Sequence, residues 1–429
     1  MSRKNTITAL LLPLAASTLL LAGGSASAAP GDHIRAGDAE LVPSLQLGAE
    51  YRTNLYRAEA DPIGGANLRI APGANLTVGS DDHSFRAGGQ WEIRKFLFAQ
   101  AGDGAEADLP AGQRAARFDR FSDFGLSAGT DLFKREVVGF TLADNIAFRN
   151  NSTDAQFSEA PFTSQFRNTL QGGLPIRPGA ALAVTPGGMW SFDQYLAPRQ
   201  EGADSRVLNY RHSYGPTLGA KWAFLPRTAV YANTSYIMNQ WTEGPVGEAV
   251  SDTVFSTPNN QMIRFMGGID GRFTERIFLN LGVGYGAGLY DVGDNVSGLD
   301  GLLLSVQGRY QVVQGEGDEG GAAWSLGYSK EFRDNFFANY VTINRIFTGL
   351  TGKVGDLRPA LKYELRIEGY EGNAQARDDL VNRVTADVGY AFAEWATLTP
   401  GVYWQQRASS IDVVEYDDWN IHLFATFTY

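Results

Sequence analysis

The chain has 429 residues, 12% of them aromatic, with 50 Gly, no Cys and a formal net charge of −11. The acidic balance argues against nucleic acid as a partner, and the missing Cys excludes disulfides, thiolate metal sites and a cysteine nucleophile. A chain this long without disulfides needs an extensive source of cohesion, such as a closed sheet.

Arg3 and Lys4 precede an apolar run from Ile7 to Ala22, which ends in Ala26-Ser27-Ala28. A short apolar core with basic residues before it and a small-x-small site after it is the pattern of a secretory signal peptide. The expected division is a signal peptide at 1–28, a short periplasmic tail at 29–39 and a barrel at 40–429. Losing Arg3 and Lys4 takes the charge from −11 to −13.

Beyond the signal, no apolar stretch reaches the eighteen or so residues that a spanning helix needs. Alternation takes its place. Strands are expected to begin near Leu41, Leu68, Phe85, Arg117, Val137, Phe162, Leu182, Leu208, Ala229, Met262, Ile277, Leu302, Trp324, Phe337, Leu357, Val381, Ala396 and Trp419. Leu302, Leu304, Val306, Gly308, Tyr310 and Val312 alternate with Leu303, Ser305, Gln307, Arg309 and Gln311. Pro359, Leu361, Tyr363, Leu365 and Ile367 share one face of the next clear case, and Arg358, Lys362, Glu364, Arg366 and Glu368 share the other. Successive strand side chains point to opposite faces, so each segment has one greasy side and one wet side.

Tight junctions at Gly79–Asp82, Arg177–Gly179, Leu225–Arg227, Thr274–Arg276 and Ala393–Glu394 alternate with longer polar links, among them Asn54–Gly65, Ala101–Ala115, Asn150–Ala160 and Gly244–Pro258. That alternation predicts an all-β chain: one closed antiparallel transmembrane β-barrel of about eighteen strands, with short periplasmic turns and longer extracellular loops. Aromatics near the strand ends suggest two girdles. Trp222, Phe224, Phe273, Tyr310, Tyr390, Phe392 and Tyr429 mark one rim, and Tyr51, Phe148, Trp241, Tyr290 and Trp404 mark the other.

The last strand, with Phe427 and the terminal Tyr429, resembles the signal read by the barrel-assembly machinery. Leu47–Arg57 resembles the opening strand and first loop of the family called β-barrel porin 2. Ile70-Ala71-Pro72-Gly73 is similar to that family's second strand, where Pro-Gly interrupts the alternation. Where the family often has an acidic neighbour at its first asparagine, this chain has Arg52-Thr53-Asn54. Size and strand number also resemble the polysaccharide-secretion porins of Wzx/Wzy-type pathways. This second resemblance implies exopolysaccharide translocation across the cell outer membrane, with a periplasmic or inner-membrane export complex as partner.

Alternation directs Arg69, Arg86, Glu92, Arg94, Arg211, Arg264, Arg309, Arg358, Lys362, Glu364, Arg366, Glu368, Arg383, Tyr403 and His422 into the pore, with Asp387 and Phe424 beside them. Such a lining either stiffens the wall by ion pairing or lowers the barrier to an anionic sugar or polymer. General diffusion or small-sugar uptake is the alternative function, and a structural or adhesive barrel without transport the second. No loop has the length to fold inside as a constriction, and the tail has no room for a plug. Catalysis is not expected: the chain has four His, and neither Gly-x-Ser-x-Gly nor His-Glu-x-x-His occurs. No cofactor or metal is expected either, and the acidic loop residues Asp291, Asp294, Glu316, Asp318 and Glu319 fit no Ca²⁺ loop. Membrane lipid is the expected surrounding.

Overall fold

A computed structural model describes residues 33–55, 57, 62, 64–100, 122–149, 164–196, 207–243, 259–290, 299–313, 321–334, 340–371 and 376–429. The signal peptide, the strand starts near Arg117, Phe162 and Phe337, and the five acidic loop residues lie outside them. The described chain forms β1 (Ile34–Ala36), β2 (Ala39–Arg52), β3 (Gly64–Gly79), β4 (Ser84–Gln100), β5 (Ser122–Leu132), β6 (Phe140–Arg149) and β7 (Ser164–Gly173). There follow β8 (Leu182–Leu196), β9 (Val207–Leu225), β10 (Thr228–Glu243), β11 (Asn260–Arg272), β12 (Ile277–Tyr290) and β13 (Leu299–Val313). The last six are β14 (Gly321–Asp334), β15 (Tyr340–Lys353), β16 (Leu357–Glu371), β17 (Arg377–Ala393), β18 (Ala396–Ser409) and β19 (Tyr416–Thr428).

Strands β2 to β19 pair in sequence order, each antiparallel to the next, and β19 returns to β2 from Thr428↔Ser44 to Asn420↔Arg52. This is a closed barrel of eighteen strands. Closure leaves no sheet edge, so every strand has a neighbour on both sides. Strand β1 is a short addition that pairs Ile34↔Leu41 on β2, just past the point where β19 stops.

The two rims differ. Both ends of the barrel sequence and the connections 80–83, 226–227, 273–276, 354–356 and 394–395 share one rim, together with the longer 133–139, 174–181 and 314–320. The other carries 53–63, 101–121, 150–163 and 244–259, although 335–339 and 372–376 on that rim are short.

Register sorts the side chains. Leu47, Ile70 and Ile93 lie in adjacent positions on β2, β3 and β4, and all are exposed on the outer face. The same holds for Leu302, Val306, Leu326, Ile346, Leu361, Ile367, Leu380, Trp419 and Ile421 around the rest of the wall. A water-soluble protein rarely shows so wide an apolar surface, whereas a barrel set in hydrocarbon requires it. Most of the expected girdle aromatics share this outer face, including Tyr51, Trp222, Phe224, Tyr310, Tyr390 and Phe392.

Trp241 and Tyr290 do not belong to the girdle. Trp241 shares the inner face of β10 with Tyr231, and its ring stacks on buried Tyr195 at 5.8 Å. Tyr290 alternates with outward Leu289 and meets the Tyr340 ring at 6.0 Å. Position near a strand end sets height, but parity sets side, and both residues have inner parity.

Replacing outward Leu361 by Arg is expected to destabilise the barrel by roughly 2–4 kcal/mol if the position lies at mid-membrane. Unfolding in lipid vesicles measures it, and an unchanged midpoint would mean the register of β16 is wrong.

Candidate functional site

Among the described residues, most of the charged side chains that converge do so on the inner face of the barrel. All fifteen residues expected to line it have inner-face parity, as do Asp387 and Phe424. Their surroundings differ with height. Near the turn rim Arg86, Arg309, Arg358 and Lys362 are exposed within the lumen. Among the described residues none of these four has an ion-pair or hydrogen-bond partner. The wall there is grooved. One cavity of about 870 Å³ is lined by Thr185, Thr217, Lys221, Tyr231, Asn233 and Asn280. Another of about 790 Å³ includes Arg309, Arg272 and Gln307. An eighteen-stranded barrel is wide enough to hold water at this level.

Toward the loop rim the same inner face is packed. Asp193, Glu368, Gln405 and Asp418 have no exposed surface, and Asp379 and Arg407 are nearly as deeply buried. Buried charges persist only when paired and hydrogen-bonded, and pairs are what the register supplies. Glu364 contacts Arg345 at 2.6 Å and Arg366 at 3.5 Å, and Arg366 reaches Glu368 at 3.3 Å. Arg407 bridges Glu368 at 3.5 Å and Asp379 at 2.9 Å, while Arg377 meets Asp379 at 3.1 Å. The Tyr370 hydroxyl donates to Glu368 at 2.9 Å. Alternate residues on neighbouring strands thus form one ladder of opposite charges across β15 to β18.

A second cluster centres on Asp193, which accepts from Gln165 at 2.8 Å, from Arg167 at 2.5 Å and from Arg211 at 2.6 Å. Elsewhere Glu92 sits between Arg69, at 2.5 Å, and Arg94. Asp418 pairs with Arg52 at the junction of the last and first strands.

The inner aromatics are engaged too. Phe424 lies so close to the β2 backbone that a Cβ on Gly48 would fall 2.2 Å from its ring, so only glycine fits there. Arg69 stands 5.0 Å above the same ring, and His422 stacks on it at 4.6 Å. The Tyr403 hydroxyl donates to Gln405, with Arg383 5.4 Å over its ring. Both rings are therefore in contact with neighbouring side chains. His422 pairs with Asp387 at 3.1 Å. His212 lies outside the barrel, against Phe192 at 4.9 Å.

The largest departure from a plain cylinder is at β13 and β14. Their pairing runs from Val313↔Ala322 to Leu304↔Lys330 and stops. Yet β13 continues to Leu299 in register with β12, and β14 continues to Asp334 in register with β15. Phe332 and Asp334 keep the parity of outward Trp324 and Leu326, but they are only 3% and 4% exposed. Phe332 packs with Met262, Leu299, Leu303 and Tyr340 on the inner side of β11 to β13. The Arg264 guanidinium donates to its carbonyl at 2.6 Å. The loop-side end of β14 and β15 has slipped inside the wall, so that two layers of sheet overlap. Among the described residues, it is strands that narrow this mouth. Among the described residues, the inner face is exposed toward the turn rim and packed toward the other.

Asp379, Arg377, Arg407, Asp418 and Arg52 were not among the expected lining residues, although alternation along β17, β18, β19 and β2 gives their side. Asp334 and Phe332 could not be found that way, because their parity reads outward.

Removing Arg407 leaves Glu368 and Asp379 buried with one countercharge fewer. Arg407→Ala is expected to cost roughly 3–5 kcal/mol, seen as a lower temperature for loss of the compact, heat-modifiable band in gel electrophoresis. No change would mean that water reaches this ladder.

No protein-family model matches the chain, and a search of curated proteins finds no match. Among solved structures, the chain is similar to OpdL of Pseudomonas aeruginosa, with 11% identity, 92% of this chain and 99% of that one covered, and a TM-score of 0.45. OccAB3 of Acinetobacter baumannii gives 8% identity, coverage of 92% and 100%, and a TM-score of 0.45. The ferric enterobactin receptor PfeA of Pseudomonas aeruginosa, as a mutant bound to enterobactin, gives 6% identity, coverage of 92% and 82%, and a TM-score of 0.47. At this level of identity and superposition nothing about function carries over.

Proposed function

We propose that this chain is an outer-membrane channel that lets small hydrophilic solutes, preferentially anions, cross passively. The observation that carries the reading is the change along one inner face. Exposed, unpaired Arg86, Arg309, Arg358 and Lys362 lie toward the turn rim, and buried, paired charges lie toward the opposite rim. Unpaired cations in a lumen lower the barrier to anions. A packed mouth suits small solutes better than a thick polymer chain, so general uptake is preferred over exopolysaccharide secretion. On this reading the turn rim is periplasmic, as in bacterial barrels with an even strand number. Catalysis is not required of the chain.

Conductance of the purified protein in planar bilayers tests the reading; no current in any condition would remove it. Arg358→Ser is expected to lower the ratio of anion to cation permeability with assembly intact. Arg366→Ser should act differently, because Arg366 is held by Glu364 and Glu368: its main effect is expected on stability. Deletion in the producing cell separates the two transport readings. Slower small-solute uptake with normal surface polysaccharide is expected, and the reverse pattern would favour secretion.

A further inference from the structure

We propose that the infolded end of β14 and β15 sets the size limit of the channel, and that Asp334 is the clasp that holds it. The proposal rests on the channel reading above and goes beyond it, since it names the residues that select.

The end is built to lie inside. Had β14 stayed paired to β13 beyond Lys330, Phe332 and Asp334 would face outward with Leu326, and a carboxylate would stand on the lipid side. Inside, that carboxylate accepts from Trp241 Nε1 at 2.9 Å and from Asn260 Nδ2 at 2.9 Å, and it stands 3.4 Å from Arg211. These partners lie on β10, β11 and β9, so the clasp spans the overlap. The receiving wall is shaped for it. Gly282, Gly284, Gly286 and Gly288 form the inner face of β12, and a Cβ on Gly286 would fall 2.4 Å from the Phe332 ring. Met262 and Met266, which pack against the same ring cluster, are pliable fillers.

On the β13 side no backbone ladder holds this end among the described residues. Everywhere else along the overlap a backbone ladder ties neighbour to neighbour, but Leu299–Leu303 of β13 has no rung to β14. Arg211 also divides itself between two carboxylates, and its contact to Asp193 at 2.6 Å is the shorter. The infolded end is thus the part of the wall that side-chain changes can displace while the rest of the barrel keeps its pairing.

Liposome swelling with neutral oligosaccharides of increasing length tests this on the full chain, alongside wild type. Asp334→Ala is expected to admit longer sugars, with swelling rates for a trisaccharide raised severalfold. Phe332→Ala leaves the clasp in place and is expected to widen the limit too, so it carries the test if the first variant does not assemble. The chain has no Cys, which permits a reversible version. The double variant Asn260→Cys/Asp334→Cys should behave like Asp334→Ala until a short bifunctional thiol reagent bridges the pair, and bridging should restore the wild-type limit. Equal limits for bridged, unbridged and wild-type protein would overturn the proposal, with the channel reading intact. Failure of the pair to bridge in assembled protein would overturn the infolded placement. No swelling from wild type or any variant would remove the channel reading itself, and the proposal with it.

Discussion

A closed ladder of backbone hydrogen bonds is the constraint from which the rest of this structure follows. In hydrocarbon an unpaired peptide group is too costly to keep, and pairing β19 with β2 closes the ring of eighteen strands. Once the ladder closes, side chains have two destinations, and period two distributes them. Leu361 and Ile367 go out; Lys362, Glu364, Arg366 and Glu368 go in. The composition of one strand therefore fixes both the lipid contact and the chemistry of the lumen.

Closure also explains the charge ladder at the loop-side mouth. Strands a few ångströms apart bring inward residues of neighbouring strands into direct contact. A carboxylate on one strand beside arginines on the next finds its countercharge without any loop or cofactor. Glu368, Arg407 and Asp379 on β16, β18 and β17 form such a run. Paired in this way, the ions fix the geometry of the wall. Nearer the turn rim Arg86, Arg309, Arg358 and Lys362 have no such neighbours among the described residues, although Lys221 pairs with Asp270 at 3.0 Å.

The overlap at β13 and β14 shows what happens where the ladder is interrupted. Below Lys330 the wall is single; above it, the paired end of β14 and β15 exchanges hydrogen bonds to β13 for apolar packing on the inner side of β11 to β13. Aromatic side chains make that exchange favourable, because Phe332 and Tyr340 are buried on both sides. The lumen narrows where the sheet doubles.

The amino-acid sequence alone determined the barrel, its eighteen strands and the side of the wall on which Arg69, Glu92, Arg309, Arg358 or His422 lies, because alternation is a local property of consecutive residues. It did not determine which charges are spent on one another. Arg358 and Arg366 share a face of β16, yet one is exposed and the other held between carboxylates, and the difference comes from what neighbouring strands place opposite them. For Trp241 and Tyr290 ring type suggested the headgroup layer, whereas alternation already put them inside. Phe332 and Asp334 mark the limit most clearly. Their parity is that of lipid-facing residues, and only the tertiary structure, by lifting their strand off β13 and laying it against the glycine face of β12, turned an outward surface into the packing of the mouth.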